Sequence, residues 1–135
     1  VTNFTVEGED TVGAKTPKEL HELFAKGFNA KDVDALLDLY EDDAVLVPAP
    51  GAPVQGKDAI KEALEGFLAM GGTIEFLAES EPIVNGNVAL THGRWRLTTE
   101  GAEPMEAETA EVSRLDADGV WRYILDNPWG SGVLA

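Results

Sequence analysis

Cysteine is absent from this 135-residue chain, which excludes disulfides, thiolate metal sites and cysteine nucleophiles and leaves the redox compartment open. Basic residues are few: 10 Lys and Arg stand against 25 Asp and Glu, a formal charge of -15. Such a surface repels polyanions, so nucleic acid and anionic membranes are poor partners. No apolar run is long enough to span a bilayer. The opening stretch, VTNFTVEGED, has neither a basic end nor an apolar block, so no signal peptide is visible, and a soluble cytoplasmic protein is expected. Several chemical motifs are missing as well. HELFA, at His21, lacks the second histidine of a zinc-protease helix, so His21 reads as a helix-surface residue. DADG, at Asp116 to Gly119, lacks the remaining ligands of a calcium loop and reads as a hairpin turn. No glycine-rich phosphate loop precedes a helix, and no Ser, His and acid set has a setting for nucleophilic catalysis. No metal or cofactor is expected.

What remains is enough for one core. At 44% hydrophobic content, 135 residues suit a single domain. Residues 1–15 mix Gly, Thr and acids with little periodicity and are expected to form a mobile leader or a short added strand, with the domain occupying 16–135. Thr16, Pro17 and Glu19 form a capping box that opens a helix carrying Leu20, Leu23, Phe24 and Phe28 on one face. After a break at Asn29 to Asp32, the residues Val33, Leu36, Leu37 and Tyr40 predict a second, short helix. Ala44 to Val47 reads as a brief strand, and the proline-rich PAPGAPVQG that follows must be a loop. A third helix begins at Gly56 to Asp58 and ends at Gly71 and Gly72.

The second half changes period from 3.6 to two. Thr73 to Ile83, Asn87 to Thr99, Met105 to Leu115 and Val120 to Asn127 predict four strands of an antiparallel meander, with Asn85 and Gly86 as a tight hairpin turn. Helices gathered at the front and strands behind imply an α+β fold in which three N-terminal helices pack on the concave face of a strongly curved antiparallel sheet.

The order of elements, together with NAKDVDALLDLYEDDAVLVPAPG, QGKDAIKEAL and SRLDADGVWRYILDNPWG, resembles the nuclear transport factor 2-like superfamily, with its cone-shaped, cystatin-like fold, and within it the SnoaL-like and ketosteroid isomerase-like group. The resemblance spans about Thr16 to Gly130. Members include isomerases, cyclases, dehydratases, epoxide hydrolases and non-enzymatic modules, so it implies a fold and a small-molecule pocket more than one reaction. It also implies a homodimer through the outer face of the sheet. Against the ketosteroid isomerases, Pro48 or Ala49 stands where the proton-abstracting Asp belongs, and Phe24 stands near the position of the oxyanion-hole Tyr. Glu111 matches their second oxyanion donor, and Asp126 falls where several SnoaL-like cyclases and epoxide hydrolases carry a late-strand acid.

Alternation sharpens that pair. Met105, Ala107, Thr109, Glu111, Ser113 and Leu115 share one face of their strand, and Val120, Ile124 and Asp126 share one face of the last. Across adjacent antiparallel strands the two acids could meet, and two carboxylates in an apolar pocket cannot both ionise cheaply. Asp126 and Glu111 are therefore the candidate catalytic residues, and Trp95, Tyr40, Ile124 and Thr109 the candidate substrate-binding wall. Alternatively, Glu111 pairs with Arg94, Arg96 or Arg122 on a solvated face and Asp126 belongs to the turn at Asn127 and Pro128. His92 alternates with Trp95, so it lies outside a pocket that Trp95 lines. Trp121 and Tyr123 are expected on the outer, dimer-facing side. Two functions stay open: cofactor-independent acid-base catalysis of isomerase, cyclase or hydrolase type on a small apolar or carbonyl-containing molecule, or a non-enzymatic dimeric ligand-binding or scaffold module.

Overall fold

The structure, a computed structural model, describes residues 13–134; the expectation for the first twelve residues lies outside them. The elements follow in the order α1 (Glu19–Asn29), α2 (Val33–Leu37), β1 (Tyr40–Leu46), β2 (Val54–Gln55), α3 (Lys57–Ala69), β3 (Thr73–Glu79), β4 (Ile83–Asn85), β5 (Val88–Thr91), β6 (Gly93–Thr98), β7 (Met105–Glu108), β8 (Ala110–Leu115), β9 (Trp121–Asn127) and a terminal 3-10 turn (Gly130–Leu134). The described residues form an α+β cone, with three helices on a curved sheet. No helix among the described residues is long and apolar enough to cross a membrane.

The first two helices start where the sequence supplies acceptors for unpaired first-turn amides. At α1 the Glu19 amide donates to Thr16 Oγ1 at 3.3 Å, and Glu19 Oε1 accepts the amide of Lys15, one residue before the expected partner, at 2.7 Å. Asp32 Oδ1 accepts the Ala35 amide and caps α2. Between these helices Lys31 takes a left-handed conformation, φ 58°. The short second helix ends before Tyr40, which instead opens β1; its ring is fully buried. Asn29 fastens the end of α1 to the sheet, donating to the Ile74 carbonyl at 3.0 Å and accepting the Ile74 amide at 2.8 Å.

Two predicted long strands are each broken in the middle. Asn87 to Thr99 divides at His92 into β5 and β6, and Met105 to Leu115 divides at Thr109 into β7 and β8. The halves belong to different sheets, ordered β2-β1-β9-β8-β5-β4 and β3-β6-β7. At the corner the Thr109 amide donates to the Gly93 carbonyl at 2.7 Å, and the Gly93 amide donates to Thr109 Oγ1 at 2.8 Å. A side-chain hydroxyl thus replaces one rung of the ladder where the sheet bends, which closes the cone. Pairing is antiparallel except between β1 and β9, which run parallel, so the sheet is mixed rather than a pure antiparallel meander. The β4–β5 turn also sits one residue later than expected. Asn85 pairs with Val88, leaving Gly86 and Asn87 as the turn, with positive φ at Gly86 alone.

The most consequential irregularity lies in β9. Val112 pairs with Leu125 but Ser113 pairs with Tyr123, so Ile124 is an extra, bulged residue. A bulge reverses the phase of alternation beyond it. Trp121 and Tyr123 therefore share the inward face with Asp126 and are all buried, whereas Leu125 is exposed. The expectation that Trp121 and Tyr123 face outward is overturned for this reason.

Candidate functional site

The inside of the cone holds a cavity of about 320 Å³. Phe24 and Phe28 of α1, Phe67 of α3, and Trp95, Leu97 and Trp129 from the sheet side form much of its wall. Trp95 and Trp129 meet edge to face at 5.7 Å between centroids. Their indole nitrogens donate to the Pro128 carbonyl at 2.8 Å and the Val47 carbonyl at 3.0 Å. These bonds satisfy the polar edge of each ring and leave the apolar faces for the cavity. Val47 opens the proline loop, and Pro48, Ala49 and Pro50 complete the wall there. The positions that resemble the isomerase base and tyrosine, Pro48, Ala49 and Phe24, thus border the cavity, and all are apolar.

Polar groups enter the wall from the sheet: Tyr40, Thr109, Glu111, Tyr123 and Asp126. Glu111 and Asp126 are directly paired across β8 and β9, with exposures of 2% and 6%. Tyr40 Oη donates to Asp126 Oδ2 at 2.6 Å. Among the described residues no hydrogen bond reaches Oδ1, nor does any cation pair with Asp126. Burial pushes its carboxyl up to about 7 with the neighbouring Glu111 charge, against smaller opposing effects of the Tyr40 hydrogen bond and His21. Burial, reinforced by the Asp126 charge, pushes the Tyr40 phenol well above its usual range, so Tyr40 remains a donor. Burial does the same for Tyr123, with the Glu111 and Asp126 charges adding to it.

Glu111 has different company. Its Oε1 accepts from Thr91 Oγ1 at 2.7 Å and lies 2.8 Å from His21 Nε2. The other ring nitrogen of His21, Nδ1, lies 2.7 Å from Glu79 Oε2. His21 is only 2% exposed and stacks on Phe76, 4.4 Å between centroids and 14° between planes. Burial opposes its charging, yet the hydrogen bonds and charges of Glu111 and Glu79 outweigh burial, and its pKa is raised. His21 is therefore no helix-surface residue. Both of its partners lie far along the chain, in β3 and β8.

Of the expected site residues, the fold brings Asp126, Glu111, Trp95, Tyr40 and Thr109 to the one cavity. It leaves out Ile124, which the bulge removes from that wall. Thr109 spends its hydroxyl on the Gly93 amide at the sheet corner. His92 is exposed and outside the cavity. The arginines weighed as partners of Glu111 pair elsewhere: Arg94 with Glu108, Arg96 with Glu106 and Arg122 with Asp116. Asp126 sits within β9, and the turn beyond it is closed by Asn127, whose Oδ1 accepts the Trp129 amide at 3.2 Å. Asp116 Oδ1 accepts the Asp118 and Val120 amides, so DADG is the hairpin turn expected. Among the described residues no cluster of three or more His, Asp or Glu side chains has the geometry to hold a metal ion.

This architecture is shared. The chain is similar to an NTF2-like protein of unknown function from Shewanella oneidensis MR-1, at 19% identity and a TM-score of 0.70 over 82% of this chain and 93% of that one. It is also similar to an NTF2-like protein of unknown function from Pseudomonas putida KT2440, at 20% identity and a TM-score of 0.67 over 94% and 87% of the two chains. A proposed dehydratase of the NTF2-like family from Streptomyces avermitilis aligns at 15% identity and a TM-score of 0.65, over 82% of this chain and 90% of its own. At these identities the likeness speaks for the fold alone. No curated protein sequence matches the chain. The SnoaL-like domain model matches residues 20–124, most of the chain from the first helix into the last strand, and the chain therefore belongs to the SnoaL-like family.

Proposed function

We propose that the cavity carries out cofactor-independent acid-base chemistry on a small, largely apolar molecule bearing an enolisable carbonyl group. One observation carries this reading: Asp126 lines an apolar cavity and, among the described residues, has a single hydrogen-bond donor, Tyr40, and no countercation. A carboxyl that changes protonation near neutral pH can both take and return a proton. In the base form Asp126 would accept a proton from the carbon next to the carbonyl, the C–H electron pair moving into the enolate, and would then deliver that proton to another position of the same molecule. The neutral Tyr40 hydroxyl holds Oδ2, which leaves Oδ1 for the substrate. Glu111 keeps the proton affinity of Asp126 high, and the aromatic wall of Trp95, Phe24 and Phe67 excludes water and binds the hydrocarbon body.

The same reading includes a homodimer through the outer sheet face. Val45, Leu125, Val112, Leu90 and Ile83 are successive cross-strand partners across β1, β9, β8, β5 and β4. They form an apolar row opposite the face of Glu111 and Asp126, and Leu125 and Ile83 are 40% and 63% exposed. An apolar row of this length on an open sheet face suits a second copy of the chain.

The test is hydrogen exchange. Wild-type protein and Asp126→Asn are incubated with a panel of small enolisable ketones in D2O, and deuterium incorporation is followed by NMR. The proposal expects exchange at the α carbon of at least one ketone and a loss of about 10²- to 10⁴-fold in the folded variant. Saturable binding of the panel with no exchange in either protein would favour the non-enzymatic ligand-binding module instead.

A further inference from the structure

Glu79 and His21 have no part in the reaction just described, yet the hydrogen-bonded chain they form ends on the cavity at Glu111. We propose that His21, with Glu79 behind it, is a positioning residue that fixes the negative charge on Glu111 and so makes Asp126 the member of the cavity pair that holds the proton. This deepens the reading of Asp126 as the acid-base group and rests on it for any catalytic meaning. The assignment of charge itself does not.

The argument begins with what the ring can donate. A neutral imidazole has one N–H and one lone pair, and a lone pair facing a carboxylate oxygen is repelled. At His21 both nitrogens face carboxylate oxygens, at 2.7 and 2.8 Å. Only the imidazolium donates to both. Charging a side chain this buried is costly unless it is paired on each side, and here it is. Glu111 Oε1 receives two donors, His21 and Thr91, which suits an ionised carboxylate. Asp126, across the strand pair, has Tyr40 alone among the described residues. Of two facing acids, the one with the cation and two donors keeps the charge, and the other takes the proton.

The packing is built around that ring. Gly93, at the sheet corner, has no side chain, and a Cβ there would come within 3.0 Å of His21 Cε1 and 3.2 Å of the Phe76 ring. Phe76 covers one face of the imidazole. Outward, His21 borders a groove with Lys18 from the turn before α1, Glu19 and Glu22 from α1, and Glu75 and Glu79 from β3. None of these except Glu79 bonds to the ring among the described residues, and Lys18 pairs with Glu81. From the inner side the charged neighbours are Glu111 and, beyond it, Asp126. Glu79 is thus the one outer charge bonded to the ring among the described residues, and its side chain is 27% exposed.

The test uses the full chain labelled with ¹³C and ¹⁵N and needs no substrate. Ring ¹⁵N shifts report whether His21 is imidazolium, and side-chain ¹³C shifts report which carboxyl is protonated. In the wild type at pH 6 the proposal expects imidazolium His21, ionised Glu111 and protonated Asp126. In His21→Gln the proton is expected to move toward Glu111. Glu79→Gln keeps the hydrogen-bond acceptor, leaves the cavity untouched and serves if the first variant does not fold; there the His21 pKa is expected to fall and the Glu111 shift to follow His21 as it deprotonates. A neutral ring in the wild type at pH 6, or a proton that stays on Asp126 with Glu111 ionised after His21 has lost its charge, would overturn the proposal. Either outcome leaves the ketone exchange test of Asp126 to stand or fall separately.

Discussion

Asp126 and Tyr40 meet through a 2.6 Å hydrogen bond between residues 86 positions apart, the last strand reaching the first. This bond lowers the proton affinity of a carboxyl that burial and Glu111 raise. Removing it in Tyr40→Phe takes away the opposing effect, so Asp126 should titrate at higher pH. The activity-pH profile should shift toward alkaline pH by a measurable fraction of a unit or more, with folding retained; an unmoved profile would separate Tyr40 from the acid.

Stability should fall as the pH rises through neutrality. Asp126 has a carboxyl at about 7 in the folded chain against an ordinary 3.8, so the folded state binds its proton more tightly than the unfolded state. That contribution is complete below about 3.8 and is lost as the pH climbs toward 7. His21, raised from 6.5, adds with the same sign: its contribution is present below 6.5 and is lost as the pH passes its folded value. Asp116, lowered from 3.8, acts only on the acid side of this window. Thermal unfolding should show a decline in Tm from pH 5 to pH 8. In Asp126→Asn the decline should be shallower, because Asn keeps an acceptor for Tyr40 and never ionises.

Gly93→Ala probes the His21 pocket through packing alone. The new methyl group meets the imidazole, the Phe76 ring and, at 3.4 Å, the Ala78 carbonyl. Overpacking of this kind typically costs about 1–3 kcal/mol, readable as a lower denaturation midpoint with an unchanged m-value. Gly86→Ala is the contrast, since Gly86 has open space around its Cα but a positive φ of 62°; its cost should come from the backbone and leave the His21 ring signals in place.

Leu125→Glu addresses the outer face. The substitution places a charge in the middle of the Val45, Leu125, Val112, Leu90 and Ile83 row without touching the cavity wall. Sedimentation of the wild type should give a dimer mass and that of the variant a monomer mass. A monomeric wild type would remove the dimer from the account.

The architecture was legible because it rests on local periodicity. The stripes Leu20, Leu23, Phe24 and Phe28, and the switch to alternation after Gly72, are written in neighbouring residues; alternation suggested that Glu111 and Asp126 could meet, but their direct pairing depends on the bulge at Ile124. What could not be read depends on single insertions and distant partners. Ile124 looks like any strand residue, yet as a bulge it reverses the side to which Tyr123 and Trp121 point. The breaks at His92 and Thr109 are invisible to alternation because both halves keep its phase, with Trp95, Thr109 and Glu111 all inward. His21 was missed for a different reason: without the second histidine of a metal motif it read as a helix-surface residue, and the approach of Glu79 and Glu111 from β3 and β8 makes it a buried, doubly bonded ring. A near-continuous inward set on α1, Leu20, His21, Phe24 and Phe28, was the available signal.

The most direct measurement is the ¹³C titration of the Asp126 carboxyl in the unmodified chain. A midpoint near 7, with Glu111 remaining ionised through that step, is the predicted result. An Asp126 that ionises in the ordinary carboxylate range, around 4, would contradict the claim that this cavity holds an acid poised to move protons at neutral pH.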